Sequence, residues 1–483
     1  MAVFQKLFKQ TFIYGLATVL PRMLSFLLVP LYTDQLPTEE YGEVSIIFSY
    51  FVLFNVILAY GMETAFFRFF NKESDKESVV HTSAISLTLS SFLFFAIALS
   101  TKQQIADLTG IDIKYITLVI WIILLDALVI IPFAYLRAKE RPIRYAAIKI
   151  INVIVNFGLN IFFLLFLIQL TAKPSVFDYI CKDNFEISYI FISNLVASAV
   201  TLLLLITFYF NLKLKFDSQL WKRMMRYAFP VLVSGIAFSI NETFDRIILD
   251  FLLPEGKADH IVGVYSACYK LALFMTLFAT AFRLGIEPFF FKFAERKGAL
   301  NMYALITKYF VALGSLILLG VIVFSDLLKF LLIRDQAYWE AMTIVPIILL
   351  ANLCLGIYHN LSVWYKITDR TKFGAYISVF GAIVTLGLNF LLIPYYSYLG
   401  SAIATLAAYS TMMMVSWYYG KKYYPIPYDL KKISFYLITA IAFSAVSFYV
   451  ANGNYWISIP LLLVFLVILF ITEKREVKQL LKK

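Results

Sequence analysis

The sequence predicts an all-α integral membrane protein of about fourteen transmembrane helices, and three observations carry that expectation. Of the 483 residues, 61% are hydrophobic and only 15% are charged; soluble domains lie nearer half apolar and a quarter charged. The apolar residues gather in uninterrupted runs of about twenty, the length a helix needs to cross a bilayer, without the alternation of about ten residues that marks barrel strands. The basic residues concentrate in alternate loops.

The runs place spans at 11–32, 42–63, 79–99, 114–135, 144–168, 187–210, 227–253, 260–283, 303–324, 339–360, 373–394, 398–419, 433–450 and 456–472. The opening MAVFQKLFKQ leads straight into the first span with no small-residue cleavage signature, so that span is expected to be retained. With the N-terminus inside, most of the 42 Lys and Arg fall in inner segments, for example Arg137, Lys139, Arg141 and Arg144 after span four. This positive-inside pattern puts both termini in the cytoplasm. The net charge of +12 is therefore a topology signal with attraction for anionic lipid, and no nucleic-acid partner is expected. Loops are short throughout, so function is expected among the helices. Three scattered cysteines (Cys181, Cys268, Cys354) suggest neither a disulfide framework nor a metal site. With no GxxxxGKS/T loop and no HExxH, neither ATP hydrolysis, a metal nor another cofactor is expected.

Next comes an internal repeat. GMETAFFRFF (61–70) returns as GIEPFFFKFA (285–294), matching Glu63 to Glu287, Phe66 to Phe290 and Arg68 to Lys292. FGLN (157–160) returns as LGLN (386–389), and RAKER (137–141) answers KITDR (366–370) at the same offset. QLPTEEYG (35–42) has a looser echo in LLPEGKADHIVG (252–263). Ordered matches of this kind read as two copies of one six-helix unit in the same orientation. They give an N-lobe at 1–215, a C-lobe at 216–425, and two additional helices with a cytoplasmic tail at 426–483. Parallel six-helix halves are a transporter design, with the substrate path between them near the bilayer midplane and exposed to each side in turn.

Ionisable residues inside spans cost on the order of 3 kcal/mol at the bilayer centre, so they must face protein, water or ligand. In span seven, SGIAFSINETFDRIILDFLL, residues Asn241, Glu242, Asp245 and Arg246 fall within about 140° of arc. Glu242 and Arg246 are spaced to pair. That face reads either as a self-neutralised pair or as a cavity wall for substrate or a coupling ion. In span five, Lys149, Asn152, Asn156 and Asn160 lie within about 80° of one another, a stripe suited to interhelical bonding or to substrate. Arg22 in span one and Lys270 in span eight sit mid-span, for anion binding or for buried pairing. Asp126 in span four is a counter-ion or a protonation site. Arg68 and Lys292, with their Phe neighbours, are expected at the membrane edge. Glu63 and Glu287 lie deeper and are candidates for an inner gate, against capping or pairing.

These residues bring a resemblance into view. GLATVLPRMLSFLLVPLYTDQLPTEEYGEVS, and later FDRIILDFLLP followed by VGVYSACYKLALF, resemble bacterial polysaccharide flippases of the multidrug/oligosaccharidyl-lipid/polysaccharide exporter superfamily. The resemblance spans essentially the whole chain. It implies two six-helix lobes around a central cationic cavity in the bacterial cytoplasmic (inner) membrane, and a transporter without enzymatic activity. The implied cargo is an undecaprenyl-diphosphate-linked oligosaccharide for surface polysaccharide such as O-antigen, capsule or exopolysaccharide. Arg22, Lys149, Arg246 and Lys270 would meet the diphosphate, and Asn152, Asn156, Asn160 and Asn241 the rest of the cavity's ligand. Glu63, Asp126, Glu242, Asp245 and Glu287 would serve ion coupling or gating, driven by proton, sodium ion or membrane potential. Expected partners are the polyprenyl-diphosphate-linked glycan, membrane lipids and other polysaccharide-assembly proteins. A lipid II flippase is the nearest alternative and a multidrug or cation extruder a more distant one. A membrane glycan polymerase or ligase is disfavoured by the short outer loops.

Overall fold

A computed structural model describes residues 23, 26–167, 186–254, 256–293, 298–368 and 370–481. Among them eleven helical stretches are long and apolar enough to cross a membrane, and no strand occurs. One of the eleven, Lys372–Tyr423, holds two of the expected spans. A further helix, Ser218–Leu252, carries span seven; its 35 residues would reach about 52 Å at 1.5 Å per residue. Of span one, only residues 23 and 26–32 are described. By internal contact the chain divides into two compact units, Met1–Gly263 and Val264–Lys483.

The first unit contains α1 (Val29–Gln35), α2 (Thr38–Ala59), α3 (Met62–Lys72), α4 (Lys76–Ser100), α5 (Lys102–Thr109) and α6 (Ile113–Ala138). It continues with α7 (Pro142–Ile161, extended by a π-helical turn to Leu167), α8 (Glu186–Phe210), α9 (Ser218–Leu252) and the start of α10 (Ala258–Tyr269). Asp75, Asp112 and Asp217 cap α4, α6 and α9 by accepting bonds from backbone N–H groups in the first turn. Span two is not one straight rod. It breaks at Tyr60 and Gly61, both left-handed (φ 31° and 71°), and α3 leaves at a new angle. A side chain on Gly61 would also meet the Ala228 carbonyl at 2.5 Å, so this corner needs glycine. The break turns the Phe-rich α3 inward. Phe66, Phe69 and Phe70, expected at the membrane edge, instead join Met62 in a core with Val79 and Leu87 of α4, Ile123 and Ala127 of α6 and Met224 of α9. Exposed Arg68 lies over the Tyr227 ring at 4.2 Å.

The second unit runs through α11 (Leu273–Phe293), α12 (Ala299–Val323), α13 (Ser325–Leu332), α14 (Val345–Leu361), α15 (Val363–Ile367) and α16 (Lys372–Tyr423) to α17 (Leu430–Ala445) and α18 (Tyr455–Leu481). α16 is two helices joined across Ser397 (φ 48°), just after Pro394. Gly400 lets the second segment start against the Leu392 carbonyl, which an added Cβ would meet at 2.6 Å. Trp364 is buried between α14 and α16, and its indole N–H donates to the Ser416 carbonyl at 3.1 Å.

The two helices beyond the repeat are fastened by charge. Glu473 of α18 accepts from Lys308 of α12 at 2.7 Å, from the Tyr436 hydroxyl at 2.5 Å and from Lys432 at 3.2 Å. The side chains of Lys308 and Glu473 are only 4% and 9% exposed. Removing one member of such a pair strands the other in a low-dielectric site, at about 3–5 kcal/mol. Glu473→Ala is therefore expected to lower the Tm of the detergent-solubilised protein, while Lys308→Met with Glu473→Leu recovers most of the loss. A Glu473→Ala protein that melts with the wild type would show that the cluster does not anchor α18.

Candidate functional site

The polar residues of the first unit form one connected system across α3, α6, α7 and α8. Asp126 of α6 accepts a bond from Ser198 of α8 at 2.7 Å. Lys149 of α7 acts electrostatically on Asp126, on Glu63 and on Arg137, and its ammonium sits 4.3 Å from the Phe133 ring centre. Glu63 in turn is ion-paired with Arg137 at the end of α6, whose guanidinium also lies over Phe67 at 4.6 Å. Two acids thus alternate with two bases, and together they balance. Glu63, Asp126 and Lys149, singled out separately in the sequence, come together here. Arg137 was visible only as one of several loop cations.

The asparagine stripe of α7 is largely committed to its neighbours. Asn152 donates to Thr201 of α8 at 2.9 Å. Asn160, fully buried, receives the Tyr32 hydroxyl of α1 at 2.8 Å and donates to the Asn156 carbonyl at 2.8 Å. Spacing put these amides on one face; it gave no hint of Tyr32 or Thr201, which lie far away in sequence.

In α9, Asn241, Asp245 and Arg246 are buried, at 5%, 4% and 9% exposure. The Arg246 guanidinium, expected to reach Glu242 one turn away, bonds Asp245 at 2.9 Å and the Glu242 backbone carbonyl at 3.4 Å. The backbone N–H of Arg246 also donates to the Asp245 carboxylate at 2.9 Å. The cation is thus folded onto its own helix beside a carboxylate. Glu242 is half-buried on the same face.

Lys270 belongs to the second unit, half-buried in the 3-10 turn Lys270–Ala272 that leads into α11. Glu287 lies in α11, but its side chain is outside the described ones, and Arg22 lies outside the described residues altogether. The second unit contains a basic cleft that sequence reasoning missed, where Arg283, His359, Asn360 and Lys366 converge. His359 stands alone in the sequence, and a lone histidine carries no spacing signal.

In the first unit, the repeat-related segments meet backbone to backbone. A Cβ on Gly42 of α2 would strike the Asp259 carbonyl of α10, and a Cβ on Gly263 would strike the Thr38 carbonyl. The contact is reciprocal: each glycine faces a carbonyl of the other segment. Thr38 Oγ1 and His260 Nδ1 hydrogen-bond across it at 2.7 Å, and Glu39 stands 3.5 Å from His260.

The family described as Polysaccharide biosynthesis protein matches residues 7–282. No curated protein matches. Among solved structures, the lipid II flippase MurJ in an inward-closed conformation is similar at a TM-score of 0.74 and 16% identity, over 96% of this chain and 100% of that one. An inward-facing multidrug resistance MATE transporter of the MOP superfamily gives 0.63 at 13%, over 86% and 94%. A MOP superfamily transporter from Pyrococcus furiosus gives 0.58 at 13%, over 86% and 95%. At these identities the likeness establishes a multi-helix membrane-transporter fold.

The paired charges of the first unit make a testable couple. Glu63→Arg and Arg137→Glu singly are each expected to lower the Tm, and the exchanged pair to regain part of it. Because both side chains are about a third or more exposed, the coupling should be only about 1 kcal/mol. Additive Tm losses in the double variant would mean that the two groups do not interact.

Proposed function

We propose, from the premise that this chain belongs to the polysaccharide biosynthesis protein family, that it is a flippase for an undecaprenyl-diphosphate-linked oligosaccharide. In this reading it carries the glycan from the cytoplasmic to the outer leaflet of the bacterial cytoplasmic membrane by alternating access, for assembly of surface polysaccharide. It performs no bond-making chemistry. The observation that carries the reading against a drug extruder is coverage: the lipid-linked-substrate flippase accounts for 96% of the chain and the multidrug transporter for 86%. A lipid II cargo is the second reading, favoured by that same comparison; the family match favours the polysaccharide cargo.

The residues suit the chemistry. A diphosphate needs charge-assisted hydrogen bonds from sheltered cations, the role assigned to Arg246, Lys270, Lys149 and Arg22. Arg246 is held by Asp245 at 2.9 Å. An arriving phosphate competes with that carboxylate for the guanidinium, and the displaced Asp245 then takes up a proton or a sodium ion. Substrate loading and ion binding are thereby linked through one side chain. Glu242 is the second acid on the same face. Glu63, Asp126 and Glu287 are assigned to ion coupling or gating. The membrane potential supplies about 2.3 kcal/mol per charge per 100 mV to such a cycle.

Arg246→Ala and Lys270→Ala are expected to abolish glycan export in a flippase-deleted strain while protein levels stay unchanged, with lipid-linked oligosaccharide accumulating inside. Normal complementation by both variants would refute the cationic site. Accumulation of lipid II in place of lipid-linked oligosaccharide would select the second reading.

A further inference from the structure

At one end of the first unit, the N-terminus of α4, the α6–α7 turn and the C-terminus of α8 enclose a cavity of about 370 Å³. That volume falls within the range of small-ligand sites, about 300–1,000 Å³. None of the residues considered above for cargo or coupling lines it. Five cations do: Lys76, Lys139, Arg141, Arg144 and Lys213. The only acid in the wall is Glu77, already engaged with Lys213 at 3.6 Å. Lys76, Lys139, Arg141 and Arg144 form no ion pair among the described residues. Two of these ammonium groups crowd one ring, Lys76 at 5.3 Å and Lys139 at 5.9 Å from the centre of Phe70. All five are exposed, and together they make a strongly positive surface that favours a bound anion.

Two further features indicate a built site. Glu140 adopts a left-handed conformation (φ 52°), rare outside glycine, and this turn lets Lys139 and Arg141 on either side of it both line the cavity. At the inner wall His81 is only 7% exposed, and its Nδ1 has no hydrogen-bond partner. A buried polar atom without a partner calls for an occupant.

We propose that this cavity binds the phosphate headgroup of an acidic glycerophospholipid in the leaflet that charge topology makes cytoplasmic. Basic pockets between membrane helices on that side take anionic headgroups. A lipid is favoured over a soluble anion by the apolar side chains beside the basic wall: Ile143, Leu203 and Phe210 are 72%, 66% and 81% exposed. They offer the acyl chains a path down α7 and α8. Arg144 spans headgroup and helix, its guanidinium 3.3 Å from Thr207 Oγ1 and 3.5 Å from the Leu204 carbonyl.

Native mass spectrometry of the full-length detergent-solubilised protein tests the proposal, with phosphatidylglycerol, phosphatidylcholine, inorganic phosphate and undecaprenyl diphosphate as probes. Phosphatidylglycerol should be retained in preference to phosphatidylcholine. Lys139→Gln with Arg141→Gln should weaken it about 30-fold, and Arg144→Gln, a second variant, should weaken it less. Lys421→Gln, a charge lost from the second unit, should leave binding unchanged. Equal retention of phosphatidylcholine, or retention unaffected by the pocket variants, would overturn the proposal. So would displacement by millimolar phosphate, which marks a free-anion site, or by undecaprenyl diphosphate, which marks a cargo site.

Discussion

A charge that enters an apolar slab must bring its neutraliser with it, and the arrangement of this protein follows from that cost. Three solutions are visible. Asp245 and Arg246 neutralise each other within one helix. Glu63, Arg137, Lys149 and Asp126 balance across three helices. Lys308 and Glu473 join segments 165 residues apart. The first solution joins adjacent residues of one helix. The other two also select neighbours, because helices that leave one member of a set behind strand the rest. Desolvation, which penalises each charge singly, thus becomes a rule about which helices lie together.

How much of this was legible in the sequence depended on whether the information was local. Membrane helices follow from runs of about twenty apolar residues. Faces follow from the helical repeat, which puts Asn152, Asn156 and Asn160 along one side of α7. Neighbours do not follow, since Tyr32, Thr201 and Ser198 belong to other helices and nothing near α7 or in α6 announces them. The same limit applied to Lys308 and Glu473. Lys308 lies near the start of span nine and Glu473 just past span fourteen, and neither position announces that α18 docks on α12. Arg246 adds a contact of another kind. Spacing nominated Glu242; the flexible guanidinium bonds Asp245 at the adjacent position, a contact that helix-face geometry does not anticipate.

The breaks in the helices were the other hidden feature. Span two read as continuous because residues on both sides of Tyr60 and Gly61 are apolar, and hydropathy is blind to direction. The corner nevertheless decides what the following phenylalanines do. In line with α2 they would meet lipid; turned at Gly61 they fill the core of the first unit. Ser397 plays a similar part in α16, where a non-glycine residue takes up the reversal between two spans. Such corners are tolerable at membrane depth only where protein or water satisfies the freed backbone groups.

The reciprocal meeting of Gly42 and Gly263 ties together two positions that are far apart in the sequence. Each glycine makes room for a carbonyl of the opposite segment, so a larger residue at either one closes the same gap. Variation at this crossing is therefore constrained in both segments at once, as in a joint whose two faces must match.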